Sequence, residues 1–132
     1  MSCNNYQLNY KSIKSGFLYE DGIYTIPGKD RNILIKELKD ESKIFAIRNG
    51  KNKILFQQSL DETFSPYHYW VLYVDQNANV WYYNSDYMSY QTILFNQKTQ
   101  QYEMKDLCRY KIQLPSEFKK EIDANSSKIC SF

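Results

Sequence analysis

His68 is the only histidine in the sequence, and any Ser-His, Cys-His or His-metal mechanism would have to use it. It lies between two tyrosines at the start of a predicted strand, and no other part of a triad is recognisable. Asp61 and Glu62 are adjacent, so on a strand they would point to opposite sides, unlike the paired carboxylates of a glycosidase. We therefore expect a structural or surface histidine, no metal or other cofactor, and a protein that is not an enzyme.

The three cysteines, Cys3, Cys108 and Cys130, suggest disulfide chemistry instead. Cys108 and Cys130 are 22 positions apart, and a bridge between them would stabilise the fold by about 3 kcal/mol in the chain-entropy description. None of the cysteines has the CxxC spacing of a zinc or redox motif. A Cys108–Cys130 disulfide predicts an oxidising compartment such as the periplasm. A cytoplasmic protein with three free thiols is the alternative.

The start of the chain, Ser2-Cys3-Asn4-Asn5 followed by a polar stretch, resembles the start of a mature bacterial lipoprotein. That resemblance implies a lipid on Cys3 and a flexible segment that holds a domain close to a membrane. We interpret residues 1–15 as this tether and residues 16–132 as a single globular β-rich domain, which suits a chain of 132 residues. The longest apolar run, residues 70–74, is much shorter than a membrane-spanning helix.

The elements predicted for this domain are mainly short strands joined by turns. The clearest hairpin joins residues 44–48 to residues 51–57 through Asn49-Gly50, a pair that favours a two-residue turn. Residues 115–123 predict one helix, with Ser116 as its cap and Phe118 and Ile122 on one face. The fold class is therefore α+β and β-rich, with antiparallel sheets built from hairpins and one C-terminal helix.

The central strands carry an unusual combination of charge and aromatic residues. The net charge is only +2, but residues 54–97 contain no Lys or Arg, and they include both tryptophans and seven of the 13 tyrosines. Because rings and cations are segregated in this way, we expect no binding to nucleic acid. A hairpin closed at Asn77-Ala78 would place polar and aromatic side chains together on one exposed face. The predicted partner-binding residues on this face are Tyr69, Tyr73, Asp75, Tyr82, Asn84 and Asp86.

The strand pair formed by residues 69–75 and 80–86 resembles one that occurs in small immunity proteins of interbacterial toxin systems. That resemblance implies a periplasmic immunity lipoprotein, which would neutralise a secreted antibacterial toxin by direct binding. A basic toxin or enzyme would then be the partner of the acidic, tyrosine-rich face. An envelope lipoprotein that binds glycan or peptidoglycan is the alternative function. A third interpretation is that another strand or a homodimer partner covers this face.

Overall fold

A computed structural model describes residues 9–125 and 129–130 of the chain. This part of the protein contains ten strands and one helix. The strands are β1 (Tyr10–Ser12), β2 (Gly16–Phe17), β3 (Gly22–Ile26), β4 (Arg31–Glu37), β5 (Lys43–Asn49), β6 (Ile54–Gln57), β7 (Trp70–Val74), β8 (Val80–Asn84), β9 (Ser89–Asn96) and β10 (Gln101–Asp106), and the helix is α1 (Ser116–Asn125).

The strands form two five-stranded sheets. The first sheet has the order β1-β3-β4-β5-β6, and the second has the order β10-β9-β8-β7-β2. All neighbouring strands are antiparallel except β1 and β3, which are parallel. The predicted fold class is confirmed: the protein is β-rich, with antiparallel sheets built mainly from hairpins and a single C-terminal helix.

The main hydrophobic core lies between the two sheets. Alternate residues of each strand point into it, as the two-residue period of a strand requires. The first sheet contributes Ile33, Ile35, Phe45 and Ile47, and the second contributes Leu72, Val74, Val80, Tyr82 and Ile93, all at most 1% exposed.

A second, smaller core lies on the opposite face of the second sheet. There α1 packs its buried residues Phe118 and Ile122 against side chains of β7 and β8. The Cys108–Cys130 disulfide, with 5.4 Å between the two Cα atoms, joins the chain after α1 to the chain after β10. Both faces of β7 and β8 are therefore covered, one by the first sheet and the other by α1.

The register predicted for the β7–β8 hairpin is wrong by one residue. Tyr73 pairs with Trp81 and Leu72 pairs with Tyr82, because the connecting loop runs from Asp75 to Asn79 instead of closing at Asn77-Ala78. A shift of one residue moves every side chain of a strand to the other face of the sheet. The predicted exposed face therefore combined residues of β7 that point towards α1 with residues of β8 that point into the main core.

The N-terminal segment and the Asn49-Gly50 turn also differ from the prediction. Residues 10–12, which fall within the predicted tether, form β1, where Lys11 pairs with Tyr24 of β3. The hairpin between β5 and β6 exists, but its loop extends to Lys53 because the Asn49 side chain accepts hydrogen bonds from two later backbone N–H groups.

Candidate functional site

Two tyrosines of the predicted binding face, Tyr69 and Tyr73, are bonded to α1. The Tyr73 hydroxyl donates to Glu117 Oε1 at 2.9 Å, and the Tyr69 hydroxyl donates to Glu121 Oε2 at 3.0 Å. Burial and the neighbouring Glu121 carboxylate raise the pKa of Tyr69. These hydroxyls hold the helix against the sheet, and Tyr73 is only 4% exposed.

Tyr82 lies inside the main core. Its ring contacts Phe45 and Phe64, with centroid distances of 5.9 and 5.5 Å, both edge to face. Burial and the neighbouring Glu62 carboxylate raise the pKa of Tyr82. With 1% exposure, this ring presents no surface to a partner.

Asn84 and Asp75 organise loops. Asn84 is fully buried, and its Nδ2 donates to the carbonyl of Thr63 at 3.0 Å. Asp75 Oδ1 accepts hydrogen bonds from the backbone N–H groups of Asn77 and Asn79, and its Oδ2 accepts from Trp81 Nε1, all within 3.0 Å. The polar atoms of both side chains are therefore used in hydrogen bonds within the protein, mainly to the loops that they support.

Asp86 is the one exposed residue of the six, and it lies in the loop of residues 85–88. Its Oδ1 lies 3.5 Å from Nε2 of His68, which joins the loop of residues 85–88 to the loop of residues 58–69. The predicted disulfide Cys108–Cys130 is present. Cys3, the predicted lipidation site, lies outside the described residues.

Exposed aromatic and apolar side chains that were not predicted as binding residues lie on the same two loops as His68 and Asp86. Tyr67 is 83% exposed, Leu60 71%, Met88 62% and Tyr87 47%. The two loops that carry these residues are also held together by a hydrogen bond of 3.0 Å from the N–H of Ser85 to the carbonyl of Tyr69. We call this region the acidic end surface, formed by Leu60, Asp61, Tyr67, Asp86, Tyr87 and Met88. A signal was available in the sequence, since Pro66 and the break after Asn84 place Tyr67 and Tyr87 in loops.

Charge is divided between the two ends of the molecule. Among the connections between consecutive strands, those at the acidic end surface (residues 18–21, 38–42, 58–69 and 85–88) hold seven carboxylates and one lysine, which are Glu20, Asp21, Asp40, Glu41, Asp61, Glu62 and Asp86, with Lys39. The connections at the other end (residues 13–15, 27–30, 50–53, 75–79 and 97–100) hold five lysines and two aspartates, which are Lys14, Lys29, Lys51, Lys53 and Lys98, with Asp30 and Asp75. We call this second region the basic end.

A cleft of about 420 Å³ opens at the basic end, where three of these connections converge. The side chain of Arg31 lines this cleft, with the guanidinium carbon 4.8 Å from the centre of the Phe95 ring. Arg31 Nε donates to the Tyr102 hydroxyl at 3.2 Å, and that hydroxyl donates to the carbonyl of Ala78 at 3.0 Å. The lining residues are Lys29, Arg31, Asn77, Asn79, Phe95, Gln97, Gln100 and Tyr102.

Hydrogen bonds fix the walls of the cleft. Asn79 Oδ1 accepts the N–H of Phe95 at 2.9 Å, and Gln100 Nε2 donates to the carbonyl of Gln97 at 2.7 Å. These bonds link the loop after β7 to β9 and close the turn before β10. The cleft is therefore largely formed before any ligand arrives.

Across residues 9–125 and 129–130, no group of three or more His, Cys, Asp or Glu side chains is arranged to hold a metal ion. The helix in this part of the chain is too short and too polar to span a membrane. Comparisons with protein-family models, with curated proteins and with solved structures find no match for the chain.

Proposed function

We propose that this protein neutralises a basic protein, in the manner of an immunity protein acting on a secreted toxin, by covering part of it with the acidic end surface. The observation that carries this proposal is the group of exposed Tyr67, Tyr87 and Met88 side chains on two loops without Lys or Arg. Tyrosine and methionine are enriched at protein interfaces, whereas lysine is depleted. The position of the surface replaces the buried face predicted from the sequence.

Electrostatics favours a basic partner for this end. The surrounding strand connections hold seven carboxylates and one lysine, and Arg109, which follows β10 nearby, lies 3.8 Å from Asp106 in an ion pair. Such a surface accelerates encounter with a cationic protein and disfavours acidic ones. The tyrosines would provide rigid contact area at a low entropic cost.

The resemblance to immunity proteins supports a toxin as the partner. It concerns the strands β7 and β8, whose side chains are buried except for the half-buried Trp70, and therefore bears on the framework of the protein and not on the residues that touch a partner. As part of the same proposal, the protein acts in the periplasm, where a disulfide such as Cys108–Cys130 is stable. A lipid on Cys3 would then anchor it to a membrane.

The test is capture of secreted and periplasmic proteins of the source cells on the immobilised protein, at low and high salt. We compare the wild type with the double variant Tyr67→Ala/Tyr87→Ala and with the control Tyr110→Ala, which alters an exposed tyrosine outside both loops. We expect one basic protein to bind the wild type and the control, to dissociate at high salt, and to lose about 30-fold or more in affinity for the double variant.

The captured protein is then purified and its activity is measured with and without the wild type. Inhibition at equimolar amounts is the expected result. Equal binding to the double variant, or binding that salt does not affect, would exclude the acidic end surface. Binding without inhibition would exclude neutralisation.

Glycan binding is the second candidate function, and the cleft at the basic end favours it. Its lining combines amide side chains (Asn77, Asn79, Gln97 and Gln100), which can bond sugar hydroxyls, with the aromatic residues Phe95 and Tyr102. A volume of about 420 Å³ lies within the usual range of small-molecule pockets. This function would use the end of the molecule opposite to the proposed protein-binding surface.

A further inference from the structure

We infer that the cleft at the basic end binds a saccharide that carries a carboxylate, with Arg31 and Lys29 receiving the acid group. This inference rests on the second candidate function, glycan binding, and is independent of the acidic end surface. It specifies the chemical class of the ligand from the groups that line the cleft.

The Arg31 guanidinium is oriented by two hydrogen bonds and has an N–H group available for an anion. Its Nε bonds the Tyr102 hydroxyl and its Nη1 donates to the carbonyl of Asp30 at 2.9 Å, while Nη2 makes no hydrogen bond to another residue in the described ranges. The nearest carboxylate oxygen, Asp30 Oδ2, lies 4.0 Å from Nη1, and the Asp30 side chain is 75% exposed. A fixed guanidinium with an available N–H group is well suited to a carboxylate.

Lys29 adds a second positive charge to the same cleft. It is exposed in the turn between β3 and β4, and no carboxylate in residues 9–125 or 129–130 lies within 4.0 Å of its ammonium group. The other aspartate at this end, Asp75, is occupied by two backbone N–H groups and by Trp81. Asp30 and Asp75 balance the charges of Arg31 and Lys29, and the excess positive charge of this end comes from its other four lysines, Lys14, Lys51, Lys53 and Lys98.

The remaining lining groups select a hydroxylated ligand over a simple anion. The Asn77 and Gln97 side-chain amides make no hydrogen bond to other residues of the described part of the chain, so each offers a donor and an acceptor. Asn79 Oδ1 is used by the N–H of Phe95, which leaves its Nδ2 as a donor. Mixed donors and acceptors match the hydroxyl groups of a sugar ring, and the two cationic side chains match its carboxylate.

The test is an NMR titration of the folded, isotope-labelled protein with three probes. Digalacturonic acid carries both carboxylates and hydroxyls, its dimethyl ester keeps the hydroxyls without the charge, and acetate keeps the charge without the sugar. We expect saturable shifts of the Asn77, Asn79 and Gln97 side-chain amide signals with digalacturonic acid, at a dissociation constant of about 1 mM or tighter. The ester should bind about ten-fold more weakly.

Two matched variants test whether the charge of Lys29 contributes to binding of the carboxylate. Lys29→Gln should reduce the preference for the acid over the ester, because only Arg31 then remains to bind the carboxylate. Lys51→Gln, which changes an exposed lysine of the same end outside the cleft, should leave that preference unchanged. Equal binding of acid and ester would overturn the role of the carboxylate but leave glycan binding standing. Binding of acetate as tight as that of the dimer would show a simple anion site. No saturable shift with any probe would exclude both the inference and the glycan-binding function.

Discussion

The Tyr82 side chain is a packing residue, and its substitution is expected to change stability before it changes binding. The ring is 1% exposed and touches Phe45 and Phe64 between the sheets. Tyr82→Ala would leave a cavity and lower the free energy of unfolding by about 3–5 kcal/mol, as for other large aromatic residues in cores. Urea unfolding followed by fluorescence measures this change.

Tyr87→Ala is the matched control, because Tyr87 is 47% exposed in the loop that follows β8. Its free energy of unfolding should change by less than about 0.5 kcal/mol. If Tyr82→Ala and Tyr87→Ala unfold at the same urea concentration as the wild type, the packing of Tyr82 described above is wrong.

Turn residues explain why the register of β7 and β8 could not be predicted from the sequence. Asp75 Oδ1 accepts the N–H groups two and four residues later, and Ala78 adopts a φ of 62°. Asn49 forms the same kind of turn: its Oδ1 accepts the backbone N–H groups of Lys51 and Lys53, and Asn52 has a φ of 65°. Asparagine tolerates this left-handed conformation, but alanine rarely adopts it, so nothing in Asn77-Ala78-Asn79 indicates where the loop ends.

The polarity of β8 gave no second indication of register. All five of its residues are buried, since the first sheet covers one face and α1 covers the other. A strand with two buried faces lacks the alternation that distinguishes inside from outside. By contrast, the strands on either side of Asn49-Gly50 and the helix with Phe118 and Ile122 follow local signals, and both are present, as is the predicted Cys108–Cys130 bridge.

The disulfide closes the segment that carries α1, and its removal is expected to destabilise the fold. In the double variant Cys108→Ser/Cys130→Ser, the unfolded chain regains the entropy of a 22-residue loop, about 3 kcal/mol. Urea unfolding of both proteins with and without reductant measures the effect. The variant should not respond to reductant, and the reduced wild type should unfold like the variant. An oxidised wild type no more stable than the variant would contradict this expectation.

For the molecule as a whole, the tyrosines with a raised pKa predict a loss of stability at alkaline pH. Burial is the largest of the effects that raise the pKa of seven tyrosines in the described ranges. These are Tyr19, Tyr24, Tyr69, Tyr73, Tyr82, Tyr90 and Tyr102. The unfolded chain loses these protons at a lower pH than the folded protein does. The contribution of these tyrosines to the free energy of unfolding is therefore full below about pH 10 and decreases as the pH rises further.

Tyrosinate absorbance and urea unfolding, both measured as a function of pH, test this expectation. The tyrosines whose pKa is raised should titrate together with unfolding. A single titration of all tyrosines near pH 10, without loss of the folded state, would contradict the burial described here.

The distribution of charge over the whole molecule was visible only in part from the sequence. The absence of Lys and Arg from residues 54–97 was evident, but one of the acids in that stretch, Asp75, lies at the basic end. The cleft was not foreseen because its lining comes from β3–β4, β7–β8 and β9–β10 connections that are distant in sequence. Sequence patterns specify which residues form strands, whereas the pairing of two sheets determines which loops meet.

The direction in which β1 and β10 run has a practical consequence for attachment. β1 starts beside Ile23, near the turn that precedes β3, so residue 9 lies at the end that carries the acidic end surface. Cys108 follows β10 close to the start of β9, at the same end, and the disulfide holds Cys130 beside it. A resin, fluorophore or fusion partner attached next to residue 9 or Cys130 would therefore lie beside the acidic end surface. A bulky carrier would crowd the loops of the acidic end surface and leave the cleft open to solvent. Coupling through Lys51, at the opposite end, would orient the molecule the other way.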